Sequence, residues 1–247
     1  MEGVYLDPPL FLLIDSAYGF VVFSVKEGAV GLRRLPYKSL SVLFVTVLKE
    51  AYMTNAEMWN ERYRSTESLW IGEPDSSLVA SAESITIGSA VDIGAGEGRN
   101  SIYLARCGWT TTAVDFSDVA LSRLEEVRDR ENLPITTILM DVLAYLKAPG
   151  VFDLSVMANM HPPIEQRHLL YDGLYRSTRQ GGYIFITGHH KDSLGFAGPA
   201  NIDMLIDENE IRDFFGERVE YLRLEKTTDV ADHGHEAPNL VAFLRRL

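Results

Sequence analysis

Cysteine is nearly absent from this chain of 247 residues, in which Cys107 is the single one. One cysteine cannot build a disulfide framework or a zinc site of cysteine ligands, and it fits a reducing compartment. Long apolar runs are absent too, because no stretch reaches the roughly 18 consecutive apolar residues that a membrane-spanning helix needs. We therefore expect neither a disulfide-stapled scaffold nor a membrane protein.

Positive charge is also scarce, with 23 lysines and arginines against 35 acids and a net charge of -12. A broad nucleic-acid interface needs clustered basic side chains, so we expect no nucleic-acid partner. Glu2 and Asp7 precede the first apolar stretch without a basic cluster, which argues against a secretory signal. We expect a cytoplasmic monomer or homodimer whose partner is a small-molecule substrate.

What the chain does contain is apolar sequence, with 46% hydrophobic residues. That content suffices for one α/β domain with some additional sequence. The most informative stretch begins with the apolar run 90–93. Gly94, Gly96 and Gly98 follow at once, and an amphipathic stretch comes next. This order predicts a strand, a tight glycine turn and a helix.

A glycine turn between a strand and a helix is typical of nucleotide sites. Glycine lets a ligand lie against the main chain, and the amides that open the following helix favour negative charge. A second apolar run, 110–114, ends in Asp115, about 20 residues after the glycines, where an acid usually binds ribose hydroxyls. We predict that this unit holds a nucleoside. The alternative is a plain βαβ turn without a ligand.

Two details favour a cationic ligand over a dinucleotide. The dinucleotide fingerprint GxGxxG would need a glycine where Arg99 stands. Asp92 lies inside the strand, two residues before Gly94. Its charge there repels a pyrophosphate and attracts an ammonium or a sulfonium. A nicotinamide-dependent oxidoreductase is the rival interpretation for such a sheet.

The stretch 90–120 resembles motif I of the class I S-adenosylmethionine (SAM) methyltransferases, with Asp115 in the position of their ribose-binding acid. Its continuation, GEGRNSIYLA, resembles the small methyltransferases of the tellurite-resistance and thiopurine type. The resemblance covers residues 53–247. It implies a three-layer α/β/α sandwich around a mostly parallel, Rossmann-like, seven-stranded sheet with an antiparallel terminal strand. It also implies methyl transfer from SAM to a small-molecule acceptor. A non-catalytic SAM-binding regulator is the second interpretation.

In the family that this chain resembles, the segment before the glycine turn forms a lid. Asn55 is predicted to start a helix that places Trp59, Arg62 and Tyr63 on one face. The resemblance implies that this helix and a loop with Trp70 fold over the cofactor. It also implies that Arg62 pairs with the methionine carboxylate, whose geometry a guanidinium matches. The alternative is an ordinary amphipathic helix with Trp59 and Tyr63 in the core.

A third strand is predicted over residues 135–140, and Asp141 and Val142 follow it. The resemblance implies that Asp141 accepts a hydrogen bond from the adenine amino group and that the next backbone amide meets a ring nitrogen. A helix N-cap is the other role open to Asp141, and the two roles can coexist. The full set of cofactor-binding residues that we infer is Arg62, Asp92, Gly94, Gly96, Asp115, Phe116, Asp141, Val142 and Met157.

A fourth predicted strand, 151–158, runs into the sequence Asn-Met-His-Pro-Pro at 159–163, where open α/β sheets place their ligands. This exit partly resembles the N-P-P-Y motif of amino-group methyltransferases. Asn159 is separated from the prolines and no aromatic residue follows them, so we do not infer that activity. His161 is a weak candidate base, or else a hydrogen-bonded turn histidine. Without a clear base, we hypothesise a soft nucleophile, a thiol or a chalcogen oxyanion.

The C-terminal half is predicted to contain a helix over 165–179, a turn at Gly181 and Gly182, and a strand over 183–187. A helix over 207–215 and a final hairpin of strands 219–224 and 240–244 follow. Four histidines raise the question of a metal site, but no regular spacing or carboxylate companion supports zinc. We predict no metal, and loops at the substrate mouth account for these residues: His189, His190, His233 and His235.

Residues 1–52 differ from the rest, since they carry as many acids as bases. Their apolar pieces, 10–14, 18–25 and 40–48, are broken by prolines and glycines. We separate them, as an N-terminal extension, from a methyltransferase domain over 53–247. The extension is a packed appendage, a partner-binding module, or sequence upstream of a true start at Met53. The last is favoured because the resemblance begins at Met53 and no folding pattern is visible.

Overall fold

The computed structural model describes residues 3–6, 10–15, 20–25, 55–69, 72–228 and 237–247. They belong to two compact units, Met1–Asn55 and Ala56–Leu247. In the first unit, strands β1 (Gly3–Leu6), β2 (Leu10–Asp15) and β3 (Phe20–Val25) form an antiparallel sheet in that order. Two of the predicted apolar pieces thus correspond to β2 and β3. The third, 40–48, lies outside the described residues.

The second unit begins with two helices and then alternates strands and helices. The helices are α1 (Asn55–Arg64), α2 (Ser76–Glu83), α3 (Arg99–Arg106), α4 (Asp118–Glu131), α5 (Val142–Tyr145), α6 (Ile164–Ser177) and α7 (Glu208–Phe215). The strands are β4 (Ser89–Ile93), β5 (Thr110–Asp115), β6 (Ile135–Leu139), β7 (Phe152–Ala158), β8 (Thr178–His189), β9 (Val219–Thr227) and β10 (Asn239–Arg246). Within the described part, no helix has the length and hydropathy required to cross a membrane.

The seven strands form one mixed sheet in the order β6-β5-β4-β7-β8-β10-β9. Strands β4 to β8 pair in parallel, whereas β10 runs antiparallel to both of its neighbours, β8 and β9. The antiparallel strand is therefore the last one in the chain, and it lies one position inside the edge that β9 forms. This topology confirms the predicted seven-stranded, mostly parallel sheet.

Side chains alternate between the two faces of the sheet, as the pleat of a strand requires. Val91 and Ile93 of β4 belong to a core cluster with helices α5, α6 and α7. Ala90, one residue earlier, belongs to a second cluster with helices α2 and α3. Because both faces are covered by helices, the strands are apolar on both sides. The predicted three-layer α/β/α sandwich is confirmed.

Aspartate side chains cap the starts of helices α2 and α7. The Asp75 carboxylate accepts hydrogen bonds from the amides of Ser77 at 3.0 Å and Leu78 at 3.1 Å, so Asp75 is the N-cap of α2. At the start of α7, the Asp207 carboxylate accepts a bond of 2.8 Å from the Glu210 amide. Such a cap satisfies amides that have no partner inside the helix.

Strand β8 corrects the predicted helix end and glycine turn. Helix α6 stops at Ser177, and the strand begins at Thr178, so Gly181 and Gly182 lie inside β8 rather than in a turn. Thr178 pairs with Phe152 of β7, and the next pair is Tyr183 with Leu154. Residues 179–182 therefore form a bulge opposite Asp153, and Gly181 supplies its positive φ of 73°. Two adjacent glycines in a sequence are compatible with either a turn or a bulge, so the predicted turn at Gly181 and Gly182 was wrong.

The site lies at the carboxyl ends of the parallel strands. The chain steps outward from β4 to β5 and β6 on one side and crosses to β7 and β8 on the other. Open α/β sheets bind ligands at such a switch point. We call the loops after β4, β5 and β6 (residues 94–98, 115–117 and 140–142) the glycine side. The loops after β7 and β8 (residues 159–163 and 189–206) are the histidine side.

Candidate active site

The glycine turn leaves β4 through residues whose backbone conformation strongly favours glycine. Gly94 has a φ of 68° and Gly96 a φ of 55°, both in the left-handed region. A Cβ added to Gly94 would lie 2.4 Å from Sδ of Met160, and one added to Gly96 would lie 2.8 Å from the hydroxyl oxygen of Tyr63. The turn is therefore a bare stretch of main chain with Met160 and Tyr63 close against it.

Asp115 connects the end of β5 to this turn. One carboxylate oxygen accepts a hydrogen bond of 2.8 Å from the Gly96 amide, and the other accepts one of 2.8 Å from the Ser117 amide. Burial raises the pKa of Asp115, and the amides of Ser117, Gly96 and Phe116 partly offset that increase. Each oxygen has a second lone pair, so the oriented carboxylate keeps acceptor capacity for hydroxyl donors.

Asp92, inside β4, is buried with 2% of its surface exposed. Its carboxylate accepts a hydrogen bond of 2.7 Å from the Ser101 hydroxyl, which ties helix α3 to the strand. Burial raises its pKa to about 6, against the lowering effects of Ser101 and Arg99. A positive charge placed nearby would favour the ionised form. This is the electrostatic property that a cationic ligand would use.

The loop after β6 has the predicted residues at a helix start. The Asp141 carboxylate accepts a hydrogen bond of 2.9 Å from the Ala144 amide, so Asp141 is the N-cap of α5. The side chain of Asp141 is otherwise exposed, whereas Val142 is buried in the core beside α5. The N-cap role predicted for Asp141 is confirmed, and the loop presents the backbone amide of Val142.

Two further predicted cofactor residues have different surroundings. Phe116, after Asp115, is half-buried. Met157 in β7 is fully buried and pairs with Ile93 of β4 and Ile186 of β8 within the sheet. The Met157 side chain packs in the core, so it supports the sheet beneath the site. Contact of either residue with a cofactor stays a prediction.

Helix α1 has the predicted aromatic face. The Arg62 guanidinium carbon lies 4.9 Å from the centre of the Trp59 ring, and the rings of Trp59 and Tyr63 are 5.9 Å apart. Tyr63 is buried, with 4% of its surface exposed, and reaches the glycine turn. Arg62 is exposed. Trp70, the other predicted lid residue, lies outside the described residues.

An arginine that the sequence did not single out holds α1 against the glycine turn. Arg123 of α4 pairs with Glu97 in the turn, and it donates hydrogen bonds to the carbonyls of Tyr63 at 2.8 Å and Thr66 at 2.7 Å. Glu97 in turn accepts a bond of 3.0 Å from the Leu69 amide. Three segments distant in sequence therefore meet at one guanidinium.

A second connection joins α1 to the start of α4. The Ser117 hydroxyl donates a hydrogen bond of 2.5 Å to the Asn60 side chain and accepts one of 3.1 Å from the Ala120 amide. Ser117 is therefore both the N-cap of α4 and a contact to α1. Because Ser117 lies two residues after Asp115, helix α1 is fixed next to the predicted ribose site.

On the histidine side, His161 makes the contacts of a hydrogen-bonded turn histidine. Its Nε2 accepts a hydrogen bond of 3.0 Å from the His189 amide, and the two imidazole rings stack with centres 5.1 Å apart. Desolvation, with help from His189 and Arg167, lowers the pKa of His161 to about 3. A general base at neutral pH needs a free lone pair and a pKa near 7. The observed ring has neither.

Arg167 of α6 organises the loops of the histidine side and was not recognised from the sequence. It is fully buried, and its Nε and Nη2 each donate a hydrogen bond of 2.7 Å to the Glu210 carboxylate of α7. Nη1 donates to the carbonyls of Pro162 at 2.7 Å and Asp203 at 2.8 Å, and Nη2 also donates to Leu205 at 3.2 Å. Residues 162, 203 and 205 are thereby held in one cluster.

The remaining histidines make ordinary loop contacts where they are described. Nδ1 of His190 accepts a hydrogen bond of 3.0 Å from the Asp192 amide, and Nε2 lies 3.1 Å from the Glu208 carboxylate. His233 and His235 lie outside the described residues. In the ranges that the structure covers, no group of three or more histidine, cysteine or acidic side chains could hold a metal ion.

Two curated proteins with similar sequences are named as methyltransferases. A protein of Haemophilus influenzae strain 10810, named "Probable S-adenosyl-L-methionine-dependent methyltransferase TehB", is 27% identical over 140 residues, which are 56% of this chain and 48% of that protein. A protein of the same name from another strain of that species matches over the same share. The chain thus spans about half the length of the curated relatives it matches.

Solved structures share the fold. The crystal structure of TehB from Haemophilus influenzae superposes with a TM-score of 0.60 at 24% identity, over 70% of this chain and 62% of that one. The N-methyltransferase NodS of Bradyrhizobium japonicum, solved with S-adenosyl-L-homocysteine, has a TM-score of 0.61 at 17% identity, over 78% and 99%.

The family model described as "Tellurite resistance protein TehB" matches residues 51–236, about three quarters of the chain. That range includes helix α1, the glycine turn, Asp115 and the loops of the histidine side. This chain is a member of the TehB family.

Proposed function

We propose that the domain over residues 53–247 transfers the methyl group of SAM to a small-molecule acceptor. The observation that carries this proposal is the carboxylate of Asp115, which is oriented by the Gly96 and Ser117 amides at the mouth of the glycine turn. A carboxylate in this place suits the two hydroxyls of a ribose. The methyltransferase name of the curated relatives supports the same reaction.

The residues present fit such a donor. Gly94 and Gly96 contribute no side chain of their own at the turn, and Asp141 and the Val142 amide lie after β6, where an adenine edge would be recognised. The buried charge of Asp92 favours a positive sulfur over a neutral one. Arg62, on the exposed face of α1, would pair with the carboxylate of the methionine part.

Bound SAM would supply an already activated methyl group on a positively charged sulfur. The chain's own residues therefore have three tasks, which are to bind, to align and to exclude water. Tyr63 and Met160 lie against the glycine turn and shield it from solvent. Proton removal is not among the tasks that the described residues support, because the Nε2 lone pair of His161 is already in use. This arrangement suits a soft nucleophile such as a thiol or a chalcogen oxyanion.

Calorimetry on the full chain tests the binding half of the proposal. We expect S-adenosylhomocysteine to bind with measurable heat and NADH to give none. A folded protein that binds NADH but not S-adenosylhomocysteine would be a nicotinamide enzyme, and the proposal would fall.

A turnover screen tests the catalytic half. SAM is incubated with the protein and a set of thiols, amines and chalcogen oxyanions, and methylated product is detected directly. Binding without methylation of any acceptor would identify a SAM-binding regulator instead. We expect His161→Ala to retain appreciable turnover. Complete loss of turnover with cofactor binding intact would show that His161 takes part in the chemistry.

A further inference from the structure

Asn60 of helix α1 is a half-buried residue that the sequence did not single out. Its side-chain oxygen accepts a hydrogen bond of 2.5 Å from the Ser117 hydroxyl. A carboxamide carries an acceptor oxygen and, on the same carbon, a nitrogen with two N–H donors. Because Ser117 uses the oxygen, the chemistry that Asn60 can offer to a ligand is hydrogen-bond donation.

Ser117 links Asn60 to the carboxylate that is predicted to bind the ribose. The Ser117 amide donates a hydrogen bond of 2.8 Å to Asp115, while the Ser117 hydroxyl donates to Asn60. Ser117 is fully buried, and its hydroxyl also accepts a bond of 3.1 Å from the Ala120 amide at the start of α4. The backbone and the side chain of one fixed residue therefore hold the carboxamide of Asn60 close to the carboxylate of Asp115.

The Asn60 and Asp115 side chains are chemically complementary towards a hydroxyl group. An ionised carboxylate only accepts hydrogen bonds, whereas the nitrogen of a carboxamide only donates them. A ribose hydroxyl needs both kinds of partner, since it has one O–H donor and two acceptor lone pairs. A hydroxyl that donates to Asp115 keeps its lone pairs, and covering these without a donor costs binding free energy.

Helix α1 has anchors that do not involve Asn60. Near the C-terminal end of the helix, Arg123 donates hydrogen bonds to the carbonyls of Tyr63 and Thr66. The Tyr63 side chain is buried, with its hydroxyl close to Gly96. Docking of the helix therefore does not depend on the Asn60 carboxamide alone, and this side chain can serve a second task.

We infer that Asn60 is a further donor-binding residue, whose amide nitrogen donates a hydrogen bond to the ribose hydroxyl from which Asp115 accepts one. This inference rests on the proposed function and adds a residue of helix α1 to the SAM site. The ribose would be recognised from the sheet by Asp115 and from the helix by Asn60. Binding of the donor and docking of α1 would therefore reinforce each other.

Asn60→Asp separates the two tasks of this side chain. An aspartate keeps an oxygen that can accept the Ser117 hydrogen bond, but it replaces the N–H donors with a second oxygen. We expect calorimetry on the full chain to show about tenfold weaker binding of S-adenosylhomocysteine. Asn209→Asp makes the same substitution at an exposed position on the first turn of α7 and is the matched control. It should change the dissociation constant by less than about twofold.

Ligands that lack one hydroxyl distinguish a direct contact from a structural effect. The analogues of S-adenosylhomocysteine without the 2′-hydroxyl and without the 3′-hydroxyl are titrated into each variant. The charge added by Asn60→Asp acts on all three ligands, so it cancels when their losses are compared. For one analogue we expect the tenfold loss to shrink to about twofold or less, because the hydroxyl that Asn60 would bind is missing.

Two further variants make this comparison specific. Asn60→Ala introduces no charge and should show the same dependence on the hydroxyl. Arg123→Leu loosens α1 through the Tyr63 and Thr66 carbonyls, away from the Asn60 carboxamide. We expect it to weaken all three ligands by the same factor, which is the pattern of a merely structural effect.

The outcomes separate this inference from the proposed function. Equal losses for all three ligands in Asn60→Asp and Asn60→Ala would show that Asn60 only anchors α1, which would overturn the inference and leave methyl transfer intact. Unchanged affinity for S-adenosylhomocysteine in both variants would overturn it as well. Failure of the wild type to bind S-adenosylhomocysteine would instead remove the proposed function, and with it the site that this inference extends.

Discussion

On the glycine side, the groups that would face a ligand are oriented by contacts between residues that lie close together in sequence. The Asp115 carboxylate is held by amides two and 19 residues away, and Asp92 is held by a hydroxyl nine residues away. On the histidine side, Arg167 reaches carbonyls 36 and 38 residues away and a carboxylate 43 residues away. One half of the site is therefore built within a βαβ unit, and the other half is assembled only when distant loops and helices meet.

The glycine side and the histidine side also differ in the chemical groups that they present. The glycine side offers backbone amides and two buried carboxylates, so it is polar and acidic. On the histidine side, Arg167 is paired with Glu210 and Lys191 with Asp207, and the side chains of Leu194, Phe196 and Ile202 are exposed. The following experiments test whether the two halves are as separable as these contacts indicate.

The largest effect is expected from the buried ion pair of the histidine side. Arg167→Met leaves Glu210 as an unpaired buried carboxylate, which typically lowers the free energy of unfolding by about 3–5 kcal/mol. Urea denaturation measures the change. The double variant Arg167→Met/Glu210→Leu removes both charges and should recover part of the loss.

A control for this prediction lies on the same helix. Arg176 pairs with Asp172, and both side chains are largely exposed. Arg176→Met should lower the free energy of unfolding by only about 1 kcal/mol or less. Equal losses for the two single variants would mean that Arg167 is no more important than a surface arginine, and the contrast between the two halves would be broken.

The next effect is expected on the glycine side and on binding rather than stability. Asp115→Ala removes the oriented carboxylate, and we expect the dissociation constant of S-adenosylhomocysteine to rise about 100-fold, or about 2.7 kcal/mol. Calorimetry measures it. Asp118→Ala, an exposed acid on the first turn of α4, is the control and should change the constant by less than about twofold. Unchanged affinity in Asp115→Ala would show that Asp115 does not bind the ribose.

The raised pKa of Asp92 predicts that the stability of the folded protein depends on pH. Its pKa is raised to about 6 in the folded protein, whereas an unfolded aspartate has a pKa of about 3.9. Between these values the folded protein binds the additional proton, so this residue's contribution to stability is greatest below pH 4 and is lost as the pH rises through 6. Asp92→Asn should therefore be more stable than the wild type at pH 8, by about 3 kcal/mol, and equally stable near pH 4.

Denaturation at several pH values checks this prediction, and the difference between variant and wild type cancels the other titrating groups. A second readout sharpens it. Because the donor carries a positive charge and its demethylated product does not, Asp92→Asn should weaken SAM more than S-adenosylhomocysteine. A variant whose stability difference is independent of pH would contradict the raised pKa.

The smallest effect is expected where helix α1, the predicted lid, meets the glycine turn. Arg123→Leu removes the donors of Glu97 and of the Tyr63 and Thr66 carbonyls. We expect a three- to tenfold weaker affinity for S-adenosylhomocysteine, about 1 kcal/mol, and faster proteolysis within residues 55–69. Arg128→Leu on the same helix is the matched control, since Arg128 pairs with Asp129 and Glu125 near the surface. Identical behaviour of the two variants would show that Arg123 does not hold the lid.

The features that the sequence predicts are those that depend on contacts between residues close in sequence. The glycine turn, Asp115 and the N-cap at Asp141 depend on residues close in sequence, so local patterns indicated them. The seven-stranded sheet followed from the family resemblance. The contacts of Arg123 and Arg167 depend on which distant segments pack together, and no spacing in a single sequence encodes that.

A partial signal for Arg167 was nevertheless present. Arg167, Leu170, Tyr171 and Leu174 follow the helical spacing of one buried face. A charged residue in phase with an apolar stripe must be paired when it is buried. The pattern could have indicated that Arg167 has a buried partner, but it could not have identified Glu210.

The bulge opposite Asp153 determines where β8 can vary in length. After the bulge, pairing with β7 resumes at Tyr183 and continues without a shift to Thr187, next to the end of the strand at His189. Any residue gained or lost between 179 and 182 would be accommodated before the strand reaches its carboxyl end. The number of residues in the bulge can thus change during evolution without displacing the stacked rings of His161 and His189.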